Sequence, residues 1–150
     1  MDSDTARVIR KLEQRIARLE TKPAPLWQTG TYVPTYDGVT PGATTYTTQV
    51  GFWRRVGDII FFNGRVTWTA ASGTGAAVVS LPFTSQNTTN MRYGVTVYIT
   101  NVTFANGAVQ ATIVPNSAVF SMSSALTNAA PTNVNVEAAG DIIFSGWFVV

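Results

Sequence analysis

The sequence predicts a mainly β protein, an antiparallel β-sandwich of jelly-roll type, preceded by one short N-terminal helix. Three observations predict it. Apolar spacing of three and four residues is confined to the first 22 positions and stops at Pro23-Ala24-Pro25. From Leu26 onward Val, Ile, Phe, Tyr and Trp alternate with polar residues, and the chain holds 22 threonines, a composition that suits pleated, half-buried strands. Clusters of Gly, Asn and Pro recur at short intervals with no helical pattern between them, the punctuation of an antiparallel fold.

At 150 residues, 45% hydrophobic and 12% charged, the chain suits one domain with a short appendage and can bury a core. Cysteine and histidine are both absent. That excludes disulfide frameworks, thiolate–zinc and iron–sulfur sites, thiol nucleophiles and imidazole-based triads. Neither a metal nor a cofactor is expected. The net charge of +2 resides entirely in residues 1–22, which carry six basic and four acidic groups, while the remainder carries four of each. A neutral body lacks the dense basic stripe of a nucleic-acid binder. The chain has no run of 18 apolar residues and opens on charged positions, so neither membrane insertion nor a secretory signal is expected.

Residues 2–21 read as a helix. Asp2, Ser3 and Asp4 supply capping groups and negative charge at the positive end of the helix dipole, and Pro23 stops the run. Ile9, Leu12, Ile16 and Leu19 stand at spacings of 3, 4 and 3, the a/d seam of a coiled coil. Arg, Lys, Glu and Gln flank the seam. It is narrower than the face a helix presents to its own domain, which favours a coil. Ile at a with Leu at d points to two strands, whereas Arg15-Ile16-Ala17-Arg18-Leu19-Glu20 resembles the Arg-h-x-x-h-Glu trimerisation motif, in which Arg15 and Glu20 would join chains around Ile16 and Leu19. A coil of about three heptads is marginal by itself. The part that follows must help it associate.

The clearest strand is 58–69, with Ile60, Phe62, Val66 and Trp68 on one side and Asn63, Arg65, Thr67 and Thr69 on the other. Further strands are expected at 44–50, 76–81, 95–100, 109–114, 118–122, 133–136 and 142–150. Turns are expected at Asp37-Gly38, Ser72-Gly73-Thr74-Gly75, Asn106-Gly107, Pro115-Asn116-Ser117 and Pro131-Thr132-Asn133. The last strand is apolar on both sides, with Ile142, Phe144 and Phe148 facing one way and Ile143, Trp147 and Val149 the other. A lone sandwich wets its outer faces, so a second apolar face implies self-association. The domain plan is a stalk at 1–22, a Pro-containing linker at 23–30 and a head at 31–150.

Gly57-Asp58-Ile59-Ile60-Phe61 recurs as Gly140-Asp141-Ile142-Ile143-Phe144. Both copies read as a Gly-Asp turn opening a core strand; pairing of Asp58 with Asp141 around a cation is the less economical reading. The carboxylates Asp37 and Asp58 read as turn residues like Asp141, which leaves Glu137 without a partner for glycosidase chemistry. No catalytic residue is assigned, and the chain is expected not to be an enzyme. For ligand binding the candidates are Trp53, Arg54 and Arg55 with Arg92, Tyr93 and Tyr98, because rings stack on sugars and arginine forks to carboxylate or phosphate. The alternative is that the aromatics fill the core or a subunit contact and the arginines are solvated or pair with Asp58.

The run Tyr46-x4-Gly51-Phe52-Trp53-Arg54-Arg55-Val56-Gly57-Asp58-Ile59-Ile60-Phe61 resembles a segment of tailed-bacteriophage virion proteins. These carry a Tyr…Gly-x-aromatic-x-Arg-x-Gly-Asp/Asn pattern in β domains of tail fibres, baseplate appendages and head fibres. Gly30-Thr31-Tyr32-Val33-Pro34-Thr35, Leu81-Pro82-Phe83 and the closing Ile142-Ile143-Phe144-Ser145-Gly146-Trp147-Phe148 match further parts of that pattern, so the resemblance covers residues 28–150. It implies a trimeric β head on an N-terminal stalk, carried on a virion, joined to other virion proteins through the stalk and turned toward host-surface glycan. The coil starting near Met1 implies a short spike, knob or capsid fibre, since ~20 helical residues make a rod of about 30 Å. A capsid decoration or plug protein, and a polysaccharide depolymerase, are the alternative readings.

The coil assignment is checked by sedimentation. Replacing Ile9 and Ile16 together by Asp is expected to abolish the trimer, or to part the stalks while the heads stay associated. A double variant that behaves like the parent overturns the assignment.

Overall fold

A stretch of chain with its apolar positions three and four apart forms a helix here, and the alternating remainder forms a sheet. The computed structural model describes residues 3–20, 27–104, 107–125 and 130–150. Helix α1 (Ser3–Glu20) has Asp4 in its first turn, where the carboxylate faces the positive end of the dipole. Ile9 and Leu12 are 39% and 51% exposed. Neither of these seam residues is hidden by the chain's own sheet. The side chains of Arg15, Ile16, Leu19 and Glu20, and residues 21–26, lie outside the described residues.

Ten strands follow: β1 (Trp27–Tyr32), β2 (Tyr36–Thr40), β3 (Thr44–Val56), β4 (Ile59–Ala71), β5 (Thr74–Ser80), β6 (Tyr93–Thr100), β7 (Ala108–Ile113), β8 (Val119–Ala125), β9 (Thr132–Asn133) and β10 (Gly140–Val149). All pairings are antiparallel, in the order β1-β3-β4-β10-β6-β7-β8-β5-β2, with β9 on β8. The mainly β, antiparallel class agrees with the alternation in the sequence. The expected division into two sheets does not describe the ladder, which runs unbroken through β6 and β7. Those two strands pair only from Tyr93 to Val95 with Ala111 to Ile113, so the sheet bends at this short seam and curls over itself into a half-barrel.

Side chains, not ladder bonds, tie the free edge β2 to the first half of β3. The Tyr36 amide donates to Tyr46 Oη at 3.0 Å, Tyr46 Oη donates back to the Tyr36 carbonyl at 2.8 Å, and Gln49 Nε2 donates to the Pro34 carbonyl at 3.0 Å. Strand β1 instead covers the second half of β3, from Gly51 to Val56. Both β1 and β2 escape the alternation rule in the sequence. Residues 27–30, placed in the linker, are the start of β1. Asp37-Gly38, placed in a turn, lies inside β2, because the Asp37 carboxylate reaches forward to cap the turn, accepting from the Gly38 amide at 2.8 Å and the Gly42 amide at 2.9 Å.

The two Gly-Asp copies also part company. Gly57 has φ +60° and turns the chain between β3 and β4, as glycine does without cost. Gly140 opens β10 opposite Trp68, as expected, but without a positive φ. A Cβ there would stand 2.6 Å from the indole.

That contact belongs to a pattern on the inner face. Five rings each lie over a glycine directly opposite on the neighbouring strand: Trp53 over Gly30, Tyr32 over Gly51, Phe144 over Gly64, Trp68 over Gly140 and Phe62 over Gly146. A ring laid across a bare backbone shields it from water and brings the curled sheet close around the core. Inside, Phe62, Phe144 and Phe148 meet with Phe120 from the other half of the sheet. At one end Trp68 stacks on Tyr36 with centroids 3.7 Å apart. Trp68 Nε1 donates to the Glu137 carbonyl at 2.9 Å, and the Glu137 amide donates to Tyr36 Oη at 3.0 Å. Burial pushes the Tyr36 phenol up, against that last bond.

Gly64→Ala brings a Cβ to 2.6 Å from both the Phe144 ring and the Val50 carbonyl. Overpacking of this kind costs about 1–3 kcal/mol. Gly94→Ala meets open space and is expected to stay within about 0.5 kcal/mol of the parent. Urea unfolding of the two variants checks the contrast.

Candidate binding face on the outer side of the sheet

Alternation that points the rings inward points their neighbours out, and on this half of the sheet many of those neighbours are apolar. Cross-strand pairing sets them in rows. Trp27, Val56, Ile59 and Val149 form the first; Thr29, Arg54, Phe61 and Trp147 the second; Thr31, Phe52, Asn63, Ser145 and Thr96 the third; Val50, Arg65, Ile143 and Tyr98 the fourth. Trp27, Phe52, Phe61 and Trp147 are exposed by about half or more, at 60%, 53%, 45% and 49%. Twist hollows the face into an open groove of about 1110 Å³ over the second and third rows, with a smaller hollow of about 410 Å³ beside the fourth. The third row is polar in the middle, and the rows beside it each set one arginine, Arg54 or Arg65, among apolar residues.

Charge on this face is sparse and mostly cancelled. Arg65 grips Asp141 with two hydrogen bonds, Nε to Oδ1 at 3.0 Å and Nη2 to Oδ2 at 2.6 Å, and Thr67 Oγ1 donates to Oδ1 at 3.2 Å. The Arg65 bonds hold the Asp141 carboxyl below its ordinary value of 3.8, burial works against them, and the Thr67 bond adds to them. Arg54 is exposed on the outer side and has no such clamp among the described residues. The second arginine of its pair, Arg55, donates to the Gly57 carbonyl at 2.7 Å and stands 3.8 Å from the exposed Asp58.

The six residues singled out for ligand binding are scattered by the same alternation. Trp53 faces inward and meets Phe83 edge-on, with centroids 4.8 Å apart. Tyr93 is buried in the core, its ring near that of Trp147. Arg92 is exposed in the loop before β6. Only Arg54 and Tyr98 share the outer face. The residues missed were Phe61, Ile59, Val56 and Val50. Their signal was present: Ile59 and Phe61 occupy the outward register of Asn63 and Arg65.

The carboxylates are equally dispersed. Asp58 lies just before Ile59 and Asp141 pairs with Thr67, near the other end of β4, a separation on the order of 25 Å. They share no cation. Among the described residues no group of three or more acidic side chains could hold a metal. Burial pushes the Tyr32 phenol up, and among the described residues its hydroxyl has no partner.

No family model matches the chain, and no curated protein matches it. Among solved structures, the crystal structure of Dettilon tailspike protein (gp208) is similar, with a TM-score of 0.65 and 19% identity. The fold is one found in a tailspike protein. The match covers 82% of this chain and 24% of that chain, so this chain spans about a quarter of the tailspike's length. That finding also corrects one expectation. The chain was expected not to be an enzyme, and a fold shared with a tailspike removes the ground for excluding catalysis.

The Asp141 clamp has a defined pH dependence. A carboxyl held below its ordinary value contributes stability that is present above that value and lost as pH falls through the lowered one. Asp141→Asn is therefore expected to unfold at lower urea at neutral pH and to show a shallower loss of stability below pH 3.8. Parent and variant with parallel acid limbs would show that the clamp contributes nothing.

Proposed function

We propose that this chain is a phage virion structural protein, a short trimeric fibre, spike or knob exposed on the particle. Three copies of α1 would form a parallel coil, with Ile9, Leu12, Ile16 and Leu19 as its seam and Arg15 and Glu20 setting the chain number. The coil would carry the β heads outward and join other virion proteins. The heads would contribute to attachment at host-surface glycan. The single observation that supports this reading most is the curled sheet shared with a tailspike protein over 82% of the chain. The exposure of Ile9 and Leu12 on a helix rich in charged residues supports the coil, since water-facing seam residues are what a partner helix covers.

Particles treated with antibody against the head are expected to adsorb to host cells less than particles treated with control antibody. Unchanged adsorption would sink the attachment role and leave a decoration or plug protein as the better account.

A further inference from the structure

We propose that the outer face of β1, β3, β4 and β10 is where copies of this chain meet, each turning this face toward a shared axis. The inference rests on the trimeric reading and adds to it the surface that the heads use.

Three features of the molecule carry it. The first is size and chemistry. Four rows spaced about 7 Å along strands about 4.8 Å apart make a patch on the order of 600 Å². Polar residues of the third row included, that footprint is most of the ~800 Å² per partner that a stable interface buries. Its rings and its two arginines are the residue types enriched at such contacts, and charge is depleted, as in interface cores. Arg65 is already neutralised by Asp141 at 2.6 Å, so apposing like faces confronts only the Arg54 side chains.

The second feature is reach. α1 ends at Glu20 and β1 begins at Trp27. Seven residue steps extend at most about 25 Å. A parallel coil of three helices would therefore keep each Trp27 within about 25 Å of the end of the coil, and Trp27, 60% exposed, is the first side chain of the first row. The apolar face begins where the stalk delivers the chain. A partner of unrelated sequence has no such tether, and effective concentration favours the tethered copy.

The third is position within the fold. The face is built on β10 and β4, whose inner sides carry the core, so it is a rigid platform that needs no rearrangement to dock.

The chain has no cysteine, so one introduced thiol reports on one place. Ser145→Cys sits mid-face in the third row, and Asn133→Cys sits exposed on β9, which pairs with β8 away from the face. Both full-length variants are sized by sedimentation and labelled with a maleimide. The expected result is a three-copy species in which Ser145→Cys reacts at least about tenfold more slowly than Asn133→Cys, because an interface core excludes water. Equal rates in a three-copy species overturn this inference while the trimer stands. A single-copy species overturns both. A single-copy species in which only added oligosaccharide slows Ser145→Cys assigns the face to glycan instead and also overturns the inference.

Discussion

On the inner side of β1, β3, β4 and β10, a large ring is paired across the ladder with a glycine five times over. A side chain in place of any of these glycines would meet the ring at 3.0 Å or less, so ring and glycine must stay opposite each other. Register is thereby fixed along the whole half-sheet. A slip by one residue would drive rings outward and send Arg65, Asn63 and Asp141 into the core, where unpaired polar groups are costly. The outer face, the Arg65–Asp141 clamp and the groove all follow from which residues the inner side has claimed.

Much of this was legible in the sequence, and the reasons for the rest are local. The helix was legible because Ile9 and Leu12 keep coil spacing and Pro23 ends the run. The strand β4 was legible because four core residues alternate with Asn63, Arg65 and Thr67. The two-sided character of β10 was read from Ile143 and Trp147. β1 was missed because Gln28, Thr29 and Thr31 offer no apolar alternation, its inward positions being a glycine and a tyrosine. β2 was missed because Asp37 does turn chemistry from within a strand. The second half of β3 was hidden by Gly51, which ends the apolar alternation although the strand runs on to Val56.

The binding residues illustrate a more general limit. Trp53-Arg54-Arg55 is dense in the sequence, yet adjacent strand residues face opposite sides, so the triplet cannot act as one patch. The groups that do share a face, such as Phe61 and Trp147, are far apart in the chain and become neighbours through the β4–β10 pairing. A strand register is the missing information, and the glycine pairs are what could have supplied it.

The strand that joins β4 to β6 is the last of the ten in chain order. Arg65 waits for an Asp141 that is 76 positions away, and β4 and β6 both present bare edges until β10 arrives between them. Contacts that distant close slowly. In the trimer proposed above, the open slot in one nascent chain would lie within reach of its sister's final strand. Exchange of that strand would yield an entangled assembly with the same contacts, and the speed of β10 insertion decides between a faithful and a swapped product.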